Sequence, residues 1–320
     1  MAEPKYSVII PVYNRPDELR ELLESLTRQT FRDIEVLVVE DGSTKRSESV
    51  YEEFAGRLRI QYFTKPNTGP GPSRNFGFEH ARGQYFVLFD SDCILPPEYF
   101  DVVERRLQAD PLDAWGGPDR GHDSFSSLQQ AMAYTMSSVL TTGGIRGGKN
   151  QADKFQPRSF NMGISRKVWE ATGGFKFDRL AEDIELSIRI RKAGFRIGLI
   201  PEAFVYHKRR TELTEFFHQT EGFGRGRVRV GKVHPMEVKP VHWLPTFVLL
   251  AFVFLPFLVV LYRPLALMGY IILFLFGILL TIDCYRVTRS FSAAFLAVPS
   301  AMAQFFGYGW GFLSEMFRKH

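Results

Sequence analysis

The stretch QYFVLFDSDCILPPEYF (Gln84–Phe100) contains an apolar run, Tyr85 to Phe89, that ends in two carboxylates separated by one serine. An apolar run of this length, bounded by turn residues, predicts a buried strand. Asp90 and Asp92 then lie at the edge of the core, where an uncompensated charge is costly. The pattern therefore predicts a partner for these charges elsewhere in the chain or in a ligand.

The strand at Tyr85 follows a series of segments with alternating strand and helix patterns. Three apolar strands are expected before it, at Tyr6–Tyr13, Ile34–Asp41 and Leu58–Phe63. Helices are expected between them, from Pro16 to about Gln29 and from Pro70 to Ala81. This alternation of helices with wholly apolar strands predicts an α/β fold whose mostly parallel sheet carries helices on both faces. Ligands of such sheets bind beyond the carboxyl ends of the strands, where Asp41, Asp90 and Asp92 are expected.

The pattern becomes less regular after residue 118. Phe125 to Leu140 predicts an amphipathic helix. The segment TTGGIRGGKNQADKFQPRS (residues 141–159) is rich in glycine and polar groups and lies between ordered elements. A segment of this length without a regular pattern is typical of a functional loop, so we expect it to lie over the binding site.

Three uncharged stretches occupy the C-terminal part of the chain, at residues 243–262, 265–282 and 291–314. A bilayer requires about 20 apolar residues per helix. The first two stretches, joined only by Arg263 and Pro264, therefore predict a transmembrane helical hairpin. The third is diluted by Gly, Ala, Ser and Pro, and the sequence leaves open whether it spans the membrane or is re-entrant or interfacial. We expect a soluble domain at residues 1–231 and a membrane domain at residues 232–320.

Basic residues indicate the orientation of this membrane domain. A cluster of them precedes the first span: Arg225, Arg227, Arg229, Lys232 and Lys239. Positive residues favour the cytoplasmic side, and the N-terminal residues lead directly into a strand without a secretory signal. We therefore expect the soluble domain on the cytoplasmic side of the membrane. A third span would place Arg318 and Lys319 outside, against this tendency.

The overall charge and the cysteines are less decisive. The formal net charge is +5, and the position of the basic cluster next to the membrane favours anionic lipid over nucleic acid as its partner. The chain has two cysteines, Cys93 and Cys284, far apart in sequence. This argues against a disulfide framework and agrees with a reducing compartment.

Five motifs, in this order, resemble the family-2 glycosyltransferases of the GT-A fold, in their membrane-anchored bacterial branch. They are SVIIPVYNRPDELRELLESLTRQTF, VVEDGST, GPSRNFGFEHARGQYFVLFDSD, FNMGISRKVWEATGGF and AEDIELSIRIRKAGFRI. The resemblance covers about residues 6–231. Each motif is weak alone, but their common order and spacing make coincidence implausible. The QxxRW motif of processive enzymes matches poorly, which argues against a processive polysaccharide synthase.

The resemblance implies a nucleotide-sugar site at the strand ends. Asp41 is expected to bind the base of the nucleotide, in a pocket walled by Pro11 and Tyr13. Arg74 is expected near the diphosphate, since a guanidinium suits anionic oxygens. For Asp41, a purely structural role in a turn is the alternative, because Asp side chains often satisfy nearby backbone amides.

The resemblance also implies a metal. Asp92 is expected to bind Mg²⁺ or Mn²⁺, with Asp90 toward the ribose or a metal-bound water, because hard cations prefer carboxylate oxygens. His207 is a further candidate ligand of the metal or the diphosphate, although a lone histidine is often structural. Without the cation, we expect the two carboxylates to repel each other and the site to be somewhat mobile.

Asp183 is the general base that the resemblance implies, at the start of a helix whose dipole helps to keep it ionised. The resemblance places six other residues on the acceptor or diphosphate side, and the arginines among them are expected to assist at the diphosphate. They are Asn161, Gly173, Gly174, Glu182, Arg225 and Arg227.

Taken together, these residues predict a metal-dependent inverting glycosyltransferase. It would move a sugar from a UDP- or GDP-sugar to a hydroxyl of a lipid or lipid-linked acceptor at the cytoplasmic membrane face. A polyprenyl-phosphate glycosyltransferase and a non-catalytic membrane scaffold are the alternatives. The sugar, the base and the acceptor are not determined by the sequence.

Overall fold

A computed structural model describes residues 3–120, 125–143, 155–207 and 210–318. Its strands are β1 (Tyr6–Val12), β2 (Ile34–Asp41), β3 (Ile60–Lys65), β4 (Tyr85–Phe89), β5 (Cys93–Ile94), β6 (Ala114–Gly116), β7 (Asp119–Arg120), β8 (Asn161–Ser165), β9 (Ile197–Leu199) and β10 (Val205–His207). Its helices are α1 (Pro16–Thr27), α2 (Glu48–Phe54), α3 (Pro70–His80), α4 (Tyr99–Ala109), α5 (Ser127–Ser137), α6 (Val139–Thr142), α7 (Arg166–Thr172), α8 (Glu182–Lys192), α9 (Leu213–Val233), α10 (Leu244–Leu261), α11 (Arg263–Thr288) and α12 (Phe291–Met316).

Contacts divide the chain into two compact units. Unit 1 comprises residues 1–122 and 150–208, and unit 2 comprises residues 123–149 and 209–320. By this division α9 packs with the apolar helices, although the expected soluble domain extends to residue 231. The expected domain boundary itself stays a prediction. Most of the expected loop at residues 141–159 lies outside the described residues.

Unit 1 contains a seven-stranded sheet with the order β3-β2-β1-β4-β8-β6-β9. Strands β1 to β4 are mutually parallel, whereas β8 is antiparallel to both β4 and β6, and β9 is parallel to β6. The predicted mostly parallel sheet is therefore confirmed, with β8 as the reversed strand. A small second sheet has the order β5-β10-β7.

Helices cover both faces of the large sheet because successive strand residues point to opposite sides. Val8 and Ile10 of β1 pack in one apolar cluster with α1 and α4. Ile9, between them, packs in a second cluster with Phe78 of α3 and Leu186 of α8. This agrees with the predicted helices on both faces.

The element bounds follow the sequence closely where local signals are strong. β2 and β4 have the predicted limits, and Gly194 follows α8 with a left-handed φ of +83°, which is typical of a helix end. The single helix expected over residues 125–140 is wrong, because the chain is extended at Ser138 between α5 and α6. The Ser138 hydroxyl accepts a hydrogen bond from the Leu140 amide and so begins a new helix there.

Unit 2 contains three helices long and apolar enough to cross a membrane: α10 with the four residues before it, α11 and α12. They contain the three predicted apolar stretches. α10 and α11 form a hairpin around Tyr262, in which Leu255 packs against Gly269. Cys93 in unit 1 and Cys284 in unit 2 are both buried free thiols, in agreement with the prediction.

Candidate active site

The two carboxylates after β4 lie on a tight turn. The Cys93 amide donates to the Asp90 carbonyl at 3.1 Å and closes this turn. The Asp90 side chain is about one-third exposed (36%), and that of Asp92 is 12% exposed. Both carboxylates therefore stand where the sequence predicts them, at the carboxyl edge of the sheet.

Each of these carboxylates is paired with its own arginine. Arg15 Nη1 lies 2.5 Å from Asp92 Oδ2, and Arg74 Nη2 lies 2.7 Å from Asp90 Oδ1. The expected mutual repulsion is therefore wrong for the ligand-free protein. Two guanidinium groups compensate the charge, because each favours an ionised carboxylate at hydrogen-bonding distance.

Arg74 connects the turn after β4 to the start of α8. Its side chain is 2% exposed, and its second terminal nitrogen, Nη1, lies 3.0 Å from Glu182 Oε1. The guanidinium also lies over the Phe175 ring, 5.5 Å from the ring centroid. Arg74 thus bonds to both Asp90 and Glu182 from a buried position, and its expected place near the diphosphate stays a prediction.

Glu182 and Asp183 form the first turn of α8. Asp183 Oδ1 accepts a hydrogen bond from the Ile184 amide at 2.7 Å, and Asp183 Oδ2 lies 3.6 Å from Arg158 Nη1. Burial, followed by the charge of Asp183, raises the pKa of Glu182 to about 7 despite the opposing effect of Arg74. The two adjacent carboxyls therefore have different environments, with Glu182 facing inward to Arg74 and Asp183 beside Arg158.

Two residues next to the site have strained backbone conformations. Among the described residues, three that are not glycine have a positive φ, including Asn14 at +56° and Ala181 at +59°. Asn14 directly precedes Arg15, and Ala181 directly precedes Glu182. A left-handed conformation is unfavourable for alanine and is often retained at functional sites.

Asp41, at the end of β2, is committed to the loop before α3. Its Oδ1 accepts from Lys65 Nζ at 2.5 Å and from the Thr68 amide at 2.9 Å, and its Oδ2 accepts from the Gly69 amide at 2.9 Å. Burial opposes ionisation, but these hydrogen bonds outweigh it and lower the pKa of Asp41. Asp41 thus satisfies nearby backbone amides, which is the structural role that the sequence left open for it. Binding of a nucleotide base by Asp41 stays a prediction.

The remaining residues of the expected base pocket lie at the same edge. Val12 pairs with Glu40, so Tyr13 follows β1 at the level where Asp41 ends β2. Tyr13 is half-exposed, whereas Pro11 is only partly accessible. Gly42, Ser43, Lys65 and Pro66 are among the residues that line an open cavity of about 290 Å³ beside Asp41. Occupation of this cavity by a nucleotide base stays a prediction.

Three residues expected on the acceptor side have structural explanations. Asn161 is fully buried and bonds to Tyr99 and to the Ala203 carbonyl, which argues against a place in an acceptor wall. Gly173 and Gly174 have left-handed φ angles of +70° and +74°. A Cβ at Gly174 would lie 2.3 Å from an atom of Asn75, so only glycine fits there. For all three residues, contact with an acceptor stays a prediction.

His207 ends β10, where the strand register pairs it with Cys93, the residue after Asp92. Its backbone is therefore beside the metal motif. Arg225 and Arg227 lie on α9 in unit 2, where Arg225 Nε bonds to Glu315 at 3.1 Å. The roles expected for these three residues stay predictions.

Sequence reasoning missed three cations at the site: Arg15, Lys65 and Arg158. Arg15 and Lys65 follow or end strands β1 and β3, so the strand-end rule that selected Asp41 applies to them equally. Arg158 precedes β8, whose first residue, Asn161, pairs with the last residue of β4. Because β8 is antiparallel, the residues before it lie at the carboxyl edge of β4. No local sequence signal reveals that reversal.

Glu182→Gln tests the buried carboxyl. Folding raises the pKa of Glu182 from 4.5 to about 7. The contribution of Glu182 to the free energy of unfolding therefore falls as the pH rises through this interval. Because glutamine does not titrate, the variant should gain about 3 kcal/mol relative to the wild type between pH 4.5 and pH 8. The gain is measured from melting temperatures of the full chain in detergent at several pH values. The difference between the variant and the wild type should widen by several degrees as the pH rises.

Glu202→Gln, an exposed carboxyl in the same unit, is the matched control and should follow the wild type at every pH. Parallel melting profiles of Glu182→Gln and the wild type would contradict the assignment of a raised pKa to Glu182.

The family model of glycosyl transferase family 2 matches residues 7–170. The chain therefore belongs to glycosyl transferase family 2, as the five motifs predict.

Curated relatives match over part of their length. An uncharacterized glycosyltransferase of Rickettsia felis is 40% identical over 106 residues, which are 33% of this chain and 17% of the relative. Glycosyltransferase GlyA of Streptococcus pneumoniae is 36% identical over 108 residues, which are 33% of this chain and 16% of the relative. This chain thus spans less than a fifth of either relative, so their whole activities do not transfer to it.

A solved structure with the same fold over most of the chain is the mannosyltransferase PcManGT from Pyrobaculum calidifontis, in complex with GDP-Man and Mn²⁺. It is similar with a TM-score of 0.65 and 19% sequence identity, over 93% of this chain and 86% of that one. At this identity the likeness supports the GT-A fold alone.

Proposed function

We propose that the protein transfers a sugar, with inversion, from a nucleotide-sugar to a hydroxyl of a lipid or lipid-linked acceptor at the cytoplasmic membrane face. The observation that carries this proposal is the bridge formed by Arg74. It ties Asp90 of the metal motif to Glu182, the neighbour of the expected base Asp183. One buried guanidinium thereby fixes the donor side and the acceptor side of the reaction relative to each other.

The carboxylates fit a divalent cation. Among the residues that the structure describes, no three His, Cys, Asp or Glu side chains form a metal cluster. Mg²⁺ and Mn²⁺ commonly use one or two carboxylates together with substrate phosphates, which Asp92 and Asp90 provide. When bound there, the ion would neutralise the charge of the departing nucleoside diphosphate. Arg15, released from Asp92, would remain as a cation beside the phosphates.

Asp183 would act on the acceptor. Its carboxylate accepts the hydroxyl proton while the acceptor oxygen forms a bond to the anomeric carbon. The bond from that carbon to the diphosphate oxygen breaks, and the nucleoside diphosphate leaves with the electron pair. Arg158 Nη1, 3.6 Å from Asp183 Oδ2, contributes a positive charge beside this carboxylate.

The proposed lipid acceptor is supported by the composition of unit 2. Helices with mean hydropathies of 2.7 and 2.6 belong to the same chain as the glycosyltransferase unit. A tethered enzyme meets an acceptor in the same bilayer at a high effective concentration. The mannosyltransferase PcManGT, which shares the fold, was solved in complex with GDP-Man, so GDP-sugars are the first donors to screen, with UDP-sugars beside them.

Donor binding with and without Asp92 tests this proposal. A nucleotide-sugar at 100 times its Kd should stabilise the wild type by about 2.7 kcal/mol when Mn²⁺ is present. Asp92→Asn should lose most of this stabilisation because the amide is a poor ligand for the ion. Thermal shifts across a panel of UDP- and GDP-sugars, with and without Mn²⁺, measure the effect.

Asp110→Asn, at the exposed end of α4, is the control and should respond as the wild type does. A metal-dependent shift that survives in Asp92→Asn would exclude Asp92 as the ligand. The absence of any shift in the wild type would favour a non-catalytic scaffold.

A further inference from the structure

Helix α12 differs from the other two apolar helices. Its most apolar window has a mean hydropathy of 1.2, against 2.7 and 2.6 for the other two. In the most apolar stretch of α12, 39% of the residues are buried against protein. In the corresponding stretches of the other two helices, 11% are buried. A larger part of α12 therefore faces other helices.

The C-terminal half of α12 packs along α9, and the two helices run parallel. A Cβ at Gly307 would touch Thr220, and one at Gly311 would touch the backbone of Glu221. Glycines thus let the two backbones approach closely. Further along, Glu315 of α12 is fully buried against α9.

α9 is too charged to lie in hydrocarbon. Arg225 and Arg229 bond to Glu315 at 3.1 Å and 2.8 Å, and Arg227 and Lys232 lie on the same stretch of helix. A cation at the centre of a bilayer costs about 2.5–3.5 kcal/mol even on the lowest scale. The C-terminal half of α12 packs on this basic part of α9. It must therefore lie at the same depth in the membrane as these charged residues.

The N-terminal half of α12 packs against another polar helix. Tyr134 of α5 shares an apolar cluster with Ala294, Ala297 and Ala301. α5 has the sequence SLQQAMAYTMS, whose glutamines and hydroxyls do not suit a lipid core. On one face, α12 thus packs against two helices, α9 and α5, that belong outside the hydrocarbon.

Contacts with the α10–α11 hairpin define the direction of α12. Near its start, the Ala293 carbonyl lies 3.6 Å from the Cys284 thiol, toward the end of α11. Near the C-terminal end of α12, Gly309 packs against Pro245 in the first turn of α10. The Phe312 ring contacts the ring of Trp243, which directly precedes α10, edge-on.

In an antiparallel hairpin, the start of α10 and the end of α11 lie at the same end. Both halves of α12 therefore meet that one end of the hairpin. A spanning α12 would instead run down to the hairpin tip at Tyr262. The observed contacts place α12 across the base of the hairpin.

We propose that α12 is an interfacial helix, which lies in the headgroup–acyl boundary of the bilayer at the end of the hairpin where α9 lies. The chain would then cross the membrane only through α10 and α11. This inference concerns unit 2 alone and does not depend on the proposed reaction.

The exposed side chains of α12 fit such a boundary. They are large and apolar: Phe291, Phe295, Met302, Trp310 and Met316. An interfacial helix presents such a face to the acyl chains and a polar partner to the headgroups. Arg318, which follows α12, then stays on the same side as the arginines of α9. The conflict with the positive-inside tendency disappears.

Depth measurement with spin labels separates the two arrangements. Single nitroxides are placed at Met302→Cys, midway along α12, and at Phe274→Cys, midway along α11, after replacement of Cys93 and Cys284 by alanine. The full chain is reconstituted in vesicles of phosphatidylethanolamine and phosphatidylglycerol, and relaxation by oxygen and by a nickel complex reports the depth. The Met302 label should lie about 5–10 Å below the headgroups, and the Phe274 label about 15 Å below them, near the midplane.

Equal depths of the two labels would overturn the proposal, since a spanning α12 places both at the centre. Each variant must melt within a few degrees of the cysteine-free protein, so that the labels report the folded state.

Accessibility in bacterial spheroplasts gives a second test. Arg318→Cys, after α12, should resist a membrane-impermeant maleimide until the membrane is permeabilised, as Glu53→Cys of unit 1 should. Tyr262→Cys, at the hairpin tip, should react in intact spheroplasts. Reaction of Arg318→Cys in intact spheroplasts, or protection of Tyr262→Cys there, would overturn the proposed topology.

Discussion

Asp183→Asn should lower kcat for sugar transfer by about a thousandfold, because positioned acid–base groups contribute about 10²–10⁴ in rate. Asparagine has nearly the same shape and can still accept the Ile184 amide bond. It cannot take the proton from the acceptor hydroxyl. The KM for the nucleotide-sugar should change little, since Asp183 acts on the acceptor. Steady-state release of nucleoside diphosphate measures both constants.

The matched control is Glu170→Gln, an exposed carboxyl on α7, which should retain full activity. A normal melting temperature of Asp183→Asn would show that the loss is chemical. If turnover instead falls only slightly, the acceptor does not need a base. A polyprenyl monophosphate, which is already anionic, would then replace the hydroxyl acceptor.

Arg74→Ala should destabilise the protein by about 3–5 kcal/mol, the usual effect of removing one partner from a buried ion pair. It leaves Asp90 and Glu182 without the guanidinium that bonds to both, at 2.7 Å and 3.0 Å. The melting temperature should fall by about 10 °C. Arg74→Lys should recover only part of this loss, since one ammonium lacks the planar fork that reaches both carboxylates.

Arg74→Ala is a severe change, so a double variant provides the stricter test. Glu182→Gln removes one of the two carboxyl partners of Arg74, so Arg74→Ala should destabilise the Glu182→Gln protein measurably less than it destabilises the wild type. Arg105→Ala, an exposed arginine of α4, is the control for loss of charge alone. Additive effects of the two substitutions at positions 74 and 182 would contradict the proposed bridge.

The parts of the site that could be predicted lie at the ends of strongly apolar strands. The run from Tyr85 to Phe89 defines β4, and chain continuity then puts Asp90 and Asp92 at its carboxyl end. The same reasoning places Asp41 after β2. These positions depend on local patterns of apolar residues, which a sequence displays directly.

The pairing of charges could not be predicted, because it depends on segments far apart in the chain. Arg15 and Asp92 are separated by 77 residues, and Arg74 and Glu182 by 108. The expected repulsion between Asp90 and Asp92 failed for this reason. Likewise, the bonds that Asp41 accepts from Lys65 and from the Thr68 and Gly69 amides join segments more than 20 residues apart.

The most direct test of the proposed function follows the transferred sugar. The full chain, in vesicles containing a bacterial lipid extract, is supplied with Mn²⁺ and with UDP- or GDP-sugars that carry a radiolabelled sugar. We predict that label enters the organic phase in an acid-stable linkage, with one nucleoside diphosphate released per sugar, and that Asp183→Asn abolishes the transfer. Label that appears only in water-soluble products, or in a lipid linkage cleaved by mild acid as glycosyl phosphates are, would contradict transfer to a lipid hydroxyl.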